Sequence, residues 1–366
     1  VHASSLSVPG WNLPRWSTFV EGTFIATLAI VITKILGMLY VIPFYAMIGK
    51  TGGALYSAAY TIYIIFLDIS SAGLPIAMSK IISEYNALGM NDAKVRAYRI
   101  GKRIMVFLAV IIFFVLFIFA PQIANLMFGG DLAKGLTIND VSMAIRAVSF
   151  SILVVPFLSV TKGYLQGHKV IGTASLSQVI EQIVRIAVVL GGSYLVLYVL
   201  NKGVTLAVCV SVFGAFVGGL AAYLYIKYKM YKSSDPALAI KDVAEKDKVS
   251  NKEIVKKIIT YAIPFIIINV VSSCYNFVDM TLLIRTMRHL QLNPDLISFA
   301  YSAVTTWAPK INMIVTSIAM GMSTSFIPTM VTAYTLNNWK EVNNKFNQAL
   351  QMLLFISIPM TVGLSL

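Results

Sequence analysis

Long apolar stretches alternate with short polar segments along the chain, and nine of them stand out. A helix of about 20 apolar residues crosses the hydrocarbon core of a bilayer. The predicted membrane spans are 19–48, 55–85, 103–120, 142–165, 172–199, 203–226, 257–284, 297–329 and 347–366. The pattern therefore predicts an all-α, polytopic membrane helix bundle. The last stretch is still apolar at Leu366, so we expect the sequence to be truncated inside its ninth span.

The longest hydrophilic stretch, residues 227–256, divides these spans into two groups. It mixes both charge signs and has almost no apolar periodicity, which is typical of a linker. We predict an N-terminal six-helix lobe over 19–226, a cytoplasmic linker over 227–256 and an incomplete C-terminal lobe of three spans over 257–366. Spans two and eight end alike, with small residues, a proline and then an aromatic, which favours two matching halves. Residues 1–18 are interpreted as a leader or a cloning remnant.

The distribution of Lys and Arg predicts the orientation of the bundle. With the N-terminus inside, 19 of the 29 cations fall in inside segments and five in outside loops. Lys162 and Lys169 are counted among the inside cations. Because cytoplasmic loops are enriched in Lys and Arg, we expect a multi-pass protein with its N-terminus in the cytoplasm. The net charge of +14 then reflects topology and attraction to the anionic inner leaflet, and it does not indicate nucleic-acid binding.

Composition narrows the functional class. Charged residues make up 12% of the chain, against roughly 25% in soluble domains, and mean hydropathy is +0.79. Two cysteines and three histidines favour neither a disulfide framework nor a metal site. The GxxxxGK[ST], HExxH and GxSxG motifs of nucleotide-binding, zinc and hydrolase sites do not occur. We therefore expect a transporter that is not an enzyme and has no cofactor, with Na+ or H+ as the candidate coupling ion.

Polar residues inside span five form a stripe on one helix face. Gln178, Glu181, Gln182 and Arg185 lie at i, i+3, i+4 and i+7, and Glu181 can pair with Arg185. Ionisable residues within spans face a bundle interior or a wet cavity. Two interpretations stay open, a neutralised pair that joins helices and a cavity wall that binds substrate. In either case, replacing Arg185 alone is expected to destabilise the fold more than replacing the pair.

Two carboxylates lie among small polar residues in other spans. Asp68 in span two is a candidate substrate-binding residue, and Asp279 in span seven, with Asn276, is a candidate cation site. An unpaired carboxylate at such a depth requires a cation, a proton or a substrate. Near the end of span two, Lys80 and Glu84 at i,i+4 are predicted to form an interfacial salt bridge.

Two lysines are candidates for a central basic site. Lys34 lies deep in span one and shares a face with Thr23 and Thr27, while Lys310 lies in span eight. If both face one central space, their positive field suits an anionic head group. The alternative is that each lysine pairs with Asp68 or Asp279.

Four segments carry a resemblance to a known family: ATLAIVITKILGMLYVIPFYAMIG in span one, SSAGLPIAMSKIISEYNALG closing span two, LQGHKVIGTASLSQVIEQIVRI entering span five, and AIPFIIINVVSSCYNFVDMTLL in span seven. The chain resembles the MOP superfamily of flippases and exporters, in its polysaccharide-biosynthesis branch of MurJ- and SpoVB-like proteins. The resemblance covers essentially residues 19–366.

The resemblance implies a V-shaped, two-lobed, MATE-like bundle, commonly of fourteen helices, in the cytoplasmic (inner) membrane of a bacterium. Family members flip undecaprenyl-pyrophosphate-linked sugars such as lipid II, so the implied partners are that lipid, membrane lipids and the cell-wall synthesis machinery. The pair Thr33 and Lys34 matches the Ser/Thr and cavity cation of the family's first helix, and Lys310 matches a cation of the eighth. The mechanism implied is alternating access.

Two alternatives remain, one within the same superfamily and one of another functional class. A cation-coupled multidrug exporter of the MATE type would need an acidic cavity, which Asp68 and Asp279 favour and the two lysines oppose. A membrane scaffold without transport activity would not need aligned intramembrane charges.

Overall fold

A computed structural model describes residues 18–71, 73–128, 137–232, 247–290 and 308–365, which form helices and short connections, with no strand among them. The helices, in chain order, are α1 (Thr18–Leu39), α2 (Val41–Ser71), α3 (Leu74–Ala87), α4 (Asn91–Ile118), α5 (Ala120–Phe128), α6 (Ile138–Gly167), α7 (Ile171–Tyr194, continued by a π-helical turn, Leu195–Val199), α8 (Val204–Lys232), α9 (Asn251–His289), α10 (Ala308–Thr335) and α11 (Trp339–Ser365).

The helices follow the predicted apolar stretches. Within the described ranges, seven helices are long and apolar enough to cross a membrane by length and composition. The prediction of an all-α membrane bundle is therefore confirmed. The predicted start of span eight, residues 297–307, lies outside the described part of the chain.

Span two differs from its prediction because it is broken into α2 and α3. Gly73 has φ 78°, a left-handed conformation that glycine adopts without strain. Pro75 follows in the first turn of α3, where its missing N–H costs no hydrogen bond. A Cβ at Gly73 would also collide with the Cβ of Phe265 in α9. The break therefore lets α9 approach the junction closely.

Helix α6 is the centre of the N-terminal helices, and it packs against α2, α3, α4, α5 and α8. Its buried face is mostly small and aliphatic, as is typical of close helix packing in membranes. At Gly163 a Cβ would lie 2.5 Å from the carbonyl oxygen of Pro75, so α3 crosses α6 almost backbone to backbone.

Candidate functional site

The polar stripe of α7 forms a buried ion cluster with α6. Arg185 Nη2 lies 2.9 Å from Oε1 of Glu181, and Lys162 Nζ lies 3.0 Å from Oε2 of the same carboxylate. The three side chains are only 14–16% exposed. The predicted pairing of Glu181 with Arg185 is confirmed, whereas Lys162, counted above as an inside cation, points into the bundle. One carboxylate thus compensates two cations.

Four tyrosines surround the positive end of this cluster. The hydroxyls of Tyr40 and Tyr56 lie 3.1 Å apart, and the rings of Tyr56 and Tyr60 stack with centroids 5.6 Å apart. The guanidinium of Arg185 interacts electrostatically with Tyr56, Tyr60 and Tyr63. Sequence reasoning missed this group, although its i, i+4, i+7 spacing in α2 was a readable signal.

Helix α8 comes close to the cluster at Gly218. A Cβ there would lie 2.5 Å from the carbonyl oxygen of Glu181 and 3.2 Å from Cβ of Arg185. The absence of a side chain at Gly218 therefore allows α7 and α8 to hold the cluster against α6.

We expect Gly218→Ala to lower the stability of the protein by about 1–3 kcal/mol, because the added methyl group must displace the backbone of α7. The matched control is Gly191→Ala in α7, where a Cβ has no neighbour within 4 Å. That change should be neutral or slightly stabilising, since alanine favours helix over glycine. Thermal unfolding of both purified variants in detergent measures the difference, and equal melting temperatures would contradict the close-packing argument.

Lys34 lies on the face of α1 that points toward α10. Thr27 contacts α10 so closely that a Cβ at Gly321 would lie 2.6 Å from its Cα. Lys34 follows Thr27 by seven residues, about two turns, and so lies on the same face about 10 Å further along the helix. Its side chain is half-buried, and no carboxylate among the described side chains lies within ion-pair distance.

Its neighbour Thr33 is buried, and its hydroxyl donates to the carbonyls of Ala29 and Ile30 in the same helix. The hydrogen bonds of the Thr33 hydroxyl therefore stay within α1. Gln178 and Gln182 are half-buried, and Nε2 of Gln182 would lie 3.3 Å from a Cβ at Gly37, on the α1 side of α7.

The side chains of four predicted site residues lie outside the described part of the structure. These residues are Asp68 in α2, Lys310 in α10, and Asn276 and Asp279 in α9. Among the described residues, no group of three or more His, Cys, Asp or Glu could hold a metal ion.

The N-terminal helices meet α9 through charged groups at the basic ends of the helices. Nζ of Lys257 lies 2.6 Å from Oε1 of Glu84, and the hydroxyl of Tyr261 donates to Oε2 at 3.3 Å. Lys80 instead lies over the ring of Tyr261, 3.8 Å from its centroid. The predicted pair of Lys80 with Glu84 is therefore wrong, because α9 supplies a better-placed cation than the same helix does.

A second contact ties the start of α9 to α4. Arg96 donates to the carbonyls of Asp247 and Val249 and to Oδ1 of Asn251, while Asp92 forms an ion pair with it at 2.8 Å. Together with the Glu84–Lys257 pair, these contacts hold α9 against the N-terminal helices at the ends rich in Lys and Arg. The contact of Thr27 with Gly321 lies nearer the middle of α1 and α10.

Comparison with known sequences identifies related proteins. Residues 19–334 match the family described as polysaccharide biosynthesis protein. The chain is 36% identical to the lipid II flippase MurJ of Bacillus subtilis (strain 168), covering 96% of this chain and 64% of that protein. It is 23% identical to the uncharacterized membrane protein YabM of the same organism, covering 94% and 61%. The chain thus spans less than two thirds of the length of these relatives.

Solved structures share the fold. An outward-facing multidrug resistance transporter of the MATE family, in the MOP superfamily, matches with a TM-score of 0.72 and 16% identity, over 95% of this chain and 72% of that chain. A MOP superfamily transporter from Pyrococcus furiosus, noted for the reverse polarity of its binding pocket, matches with a TM-score of 0.70 and 18% identity, over 92% and 70%. The predicted two-lobed, MATE-like architecture is confirmed.

Proposed function

This chain belongs to the polysaccharide biosynthesis protein family, and from that premise we propose that it flips an undecaprenyl-pyrophosphate-linked sugar, such as lipid II, across a bacterial cytoplasmic membrane. The observation that carries the proposal is Lys34, a half-buried cation in a membrane span with no described carboxylate beside it. Such a charge requires an anionic partner. The 36% identity to a lipid II flippase supports a pyrophosphate lipid as that partner.

The head group would bind between the two groups of helices. Lys34 faces α10, and helical register puts position 310 on the α10 face that contains Gly321. Lys34 and Lys310 would together attract a pyrophosphate, and the low dielectric strengthens the interaction relative to water. The prenyl chain stays in lipid, so only the polar part of the substrate passes through the protein.

Alternating access requires that the two groups of helices close at one end at a time. Their contacts at the basic ends, through Glu84 with Lys257 and through Arg96 with Asn251, support a state closed on that side. We assign this side to the cytoplasm, with the N-terminus inside, because Lys and Arg are concentrated there. Breaking these contacts would then admit the substrate.

The coupling ion, Na+ or H+, is proposed to act away from the ion cluster of α7. Glu181 is already neutralised by Lys162 and Arg185, so it offers no free carboxylate to a cation. Asp279 and Asn276 of α9 are the proposed ligands. The enzymes that make and use the lipid-linked sugar are proposed partners.

A flipping assay tests the function. The full-length protein in proteoliposomes should flip fluorescent lipid II and leave a fluorescent phosphatidylcholine in place, and a teichoic-acid precursor tested beside them identifies the preferred sugar. The rival function is cation-coupled multidrug export, which the same vesicles test with ethidium under a Na+ or H+ gradient. Ethidium transport without lipid flipping would reject the flippase in favour of the exporter.

A further inference from the structure

Aromatic rings of α4, α6 and α8 form one partly exposed surface in which α4 and α8 flank α6, and this surface is called the aromatic groove. The ring of Phe150 in α6 packs edge-to-face against Phe113 of α4 at 5.2 Å and against Phe213 of α8 at 5.8 Å. Phe117 and Phe216 extend this row on either side. Phe113, Phe150 and Phe213 are only half-buried, so the rings leave one side open.

The groove has a positively charged end. Nζ of Lys102 donates to the hydroxyl of Tyr223 at 2.9 Å. The ammonium groups of Lys102 and Lys227 lie 5.6 and 5.9 Å from the centroid of the same ring, and Lys102 lies 5.8 Å from that of Phe157. Within the described ranges, neither lysine has a carboxylate at ion-pair distance. Two positive charges without a counter-charge among the described side chains therefore lie against the ring of Tyr223.

The distance between the two ends of the groove matches one leaflet. Lys102 precedes Phe113 by eleven residues of α4, which is about 16 Å of helix, and Tyr223 follows Phe213 by ten residues of α8, about 15 Å. Half of a hydrocarbon core of about 30 Å is about 15 Å. When the lysines lie at head-group depth, the phenylalanine row therefore lies near the middle of the bilayer, where an acyl chain ends.

We propose that this groove binds an anionic phospholipid, with its phosphate at Lys102 and Lys227 and one acyl chain extending along α6 to Phe150. A phosphatidylcholine carries a compensating cation in its own head group, so two lysines without carboxylates favour a lipid with net negative charge. The groove lies on helices α4, α6 and α8, apart from the Lys34 face of α1, so the site does not depend on the proposed transport function.

Native mass spectrometry of the full-length protein tests the head-group site, with phosphatidylglycerol and phosphatidylcholine as the added lipids. Wild type should retain phosphatidylglycerol preferentially. Lys102→Gln with Lys227→Gln should weaken the binding of phosphatidylglycerol by roughly 30-fold, because each lysine near the membrane surface strengthens the binding of an anionic lipid by about fivefold. The matched control is Lys229→Gln with Lys232→Gln, which also removes two positive charges but from lysines at the end of α8 that lie over Tyr225 and Tyr228 instead of Tyr223. This control should leave binding unchanged. Equal losses in both pairs would overturn the site.

A second measurement locates the acyl chain. Phe150→Trp places a fluorophore at the inner end of the groove, and phosphatidylglycerol brominated near its chain end should quench it, after subtraction of the wild-type signal. Quenching should fall when Lys102→Gln and Lys227→Gln are added. Equal quenching by brominated phosphatidylcholine, or displacement of phosphatidylglycerol by stoichiometric polyprenyl pyrophosphate, would refute an anionic-phospholipid site.

Discussion

Lys34→Glu is expected to abolish flipping, Lys34→Gln to reduce it by at least about 30-fold, and Lys34→Arg to retain most of it. In the proposed mechanism, the pyrophosphate needs a cation at this position more than it needs a particular side-chain shape. Loss of one partner from a buried charge pair costs about 2–5 kcal/mol, which fixes the lower limit for the glutamine variant. Initial rates in proteoliposomes measure the effect, and the melting temperature of each purified variant serves as the control for folding.

The alternative for Lys34 is a structural ion pair with Asp68 or Asp279, and it makes a different forecast. Lys34→Gln would then lower the melting temperature, and a second change, Asp68→Asn or Asp279→Asn, would restore it, because the orphaned carboxylate would be removed. In the substrate-binding role, the second change restores neither stability nor transport. Normal flipping by Lys34→Glu would end the substrate-binding hypothesis.

The local pattern predicted the fold well because membrane helices must satisfy their backbone hydrogen bonds internally. Length and hydropathy alone therefore located the helices. The break at Gly73 was missed even though Gly73 and Pro75 are both visible in the sequence. An uninterrupted apolar stretch indicates where a segment lies in the bilayer, but it does not distinguish one helix from two.

The ion pairs within one helix could be predicted from the sequence, whereas those between helices could not. Glu181 and Arg185 are one turn apart, and their pairing followed from helix geometry. Lys162 reaches the same carboxylate from another helix, and Lys257 reaches Glu84 from 173 residues away in sequence. The i,i+4 rule favoured Lys80 for Glu84, but such local pairs contribute only about 0.2–0.5 kcal/mol. Tertiary packing that brings up another cation overrides them.

Lys162 also changes what mutations of the α7 cluster should do. If Glu181 paired with Arg185 alone, replacing Arg185 would leave a buried carboxylate without a counter-charge. With Lys162 at 3.0 Å, Arg185→Gln leaves a balanced pair. Replacing Glu181 and Arg185 together instead leaves Lys162 as a single buried cation, so the double change loses the advantage expected from the sequence.

Glu181→Gln is therefore expected to be the most damaging single change in the cluster, lowering the free energy of unfolding by about 3–5 kcal/mol, because it leaves two buried cations without a counter-charge. Arg185→Gln should cost clearly less. The triple change Lys162→Met, Glu181→Leu and Arg185→Met should recover most of the loss, since apolar residues of similar volume often replace buried ions without penalty. Thermal unfolding in detergent ranks the variants, with Glu253→Gln as the control for removal of an exposed carboxylate. A Glu181→Gln protein as stable as wild type, or a triple variant less stable than Glu181→Gln, would show that the cluster is not held together by charge compensation.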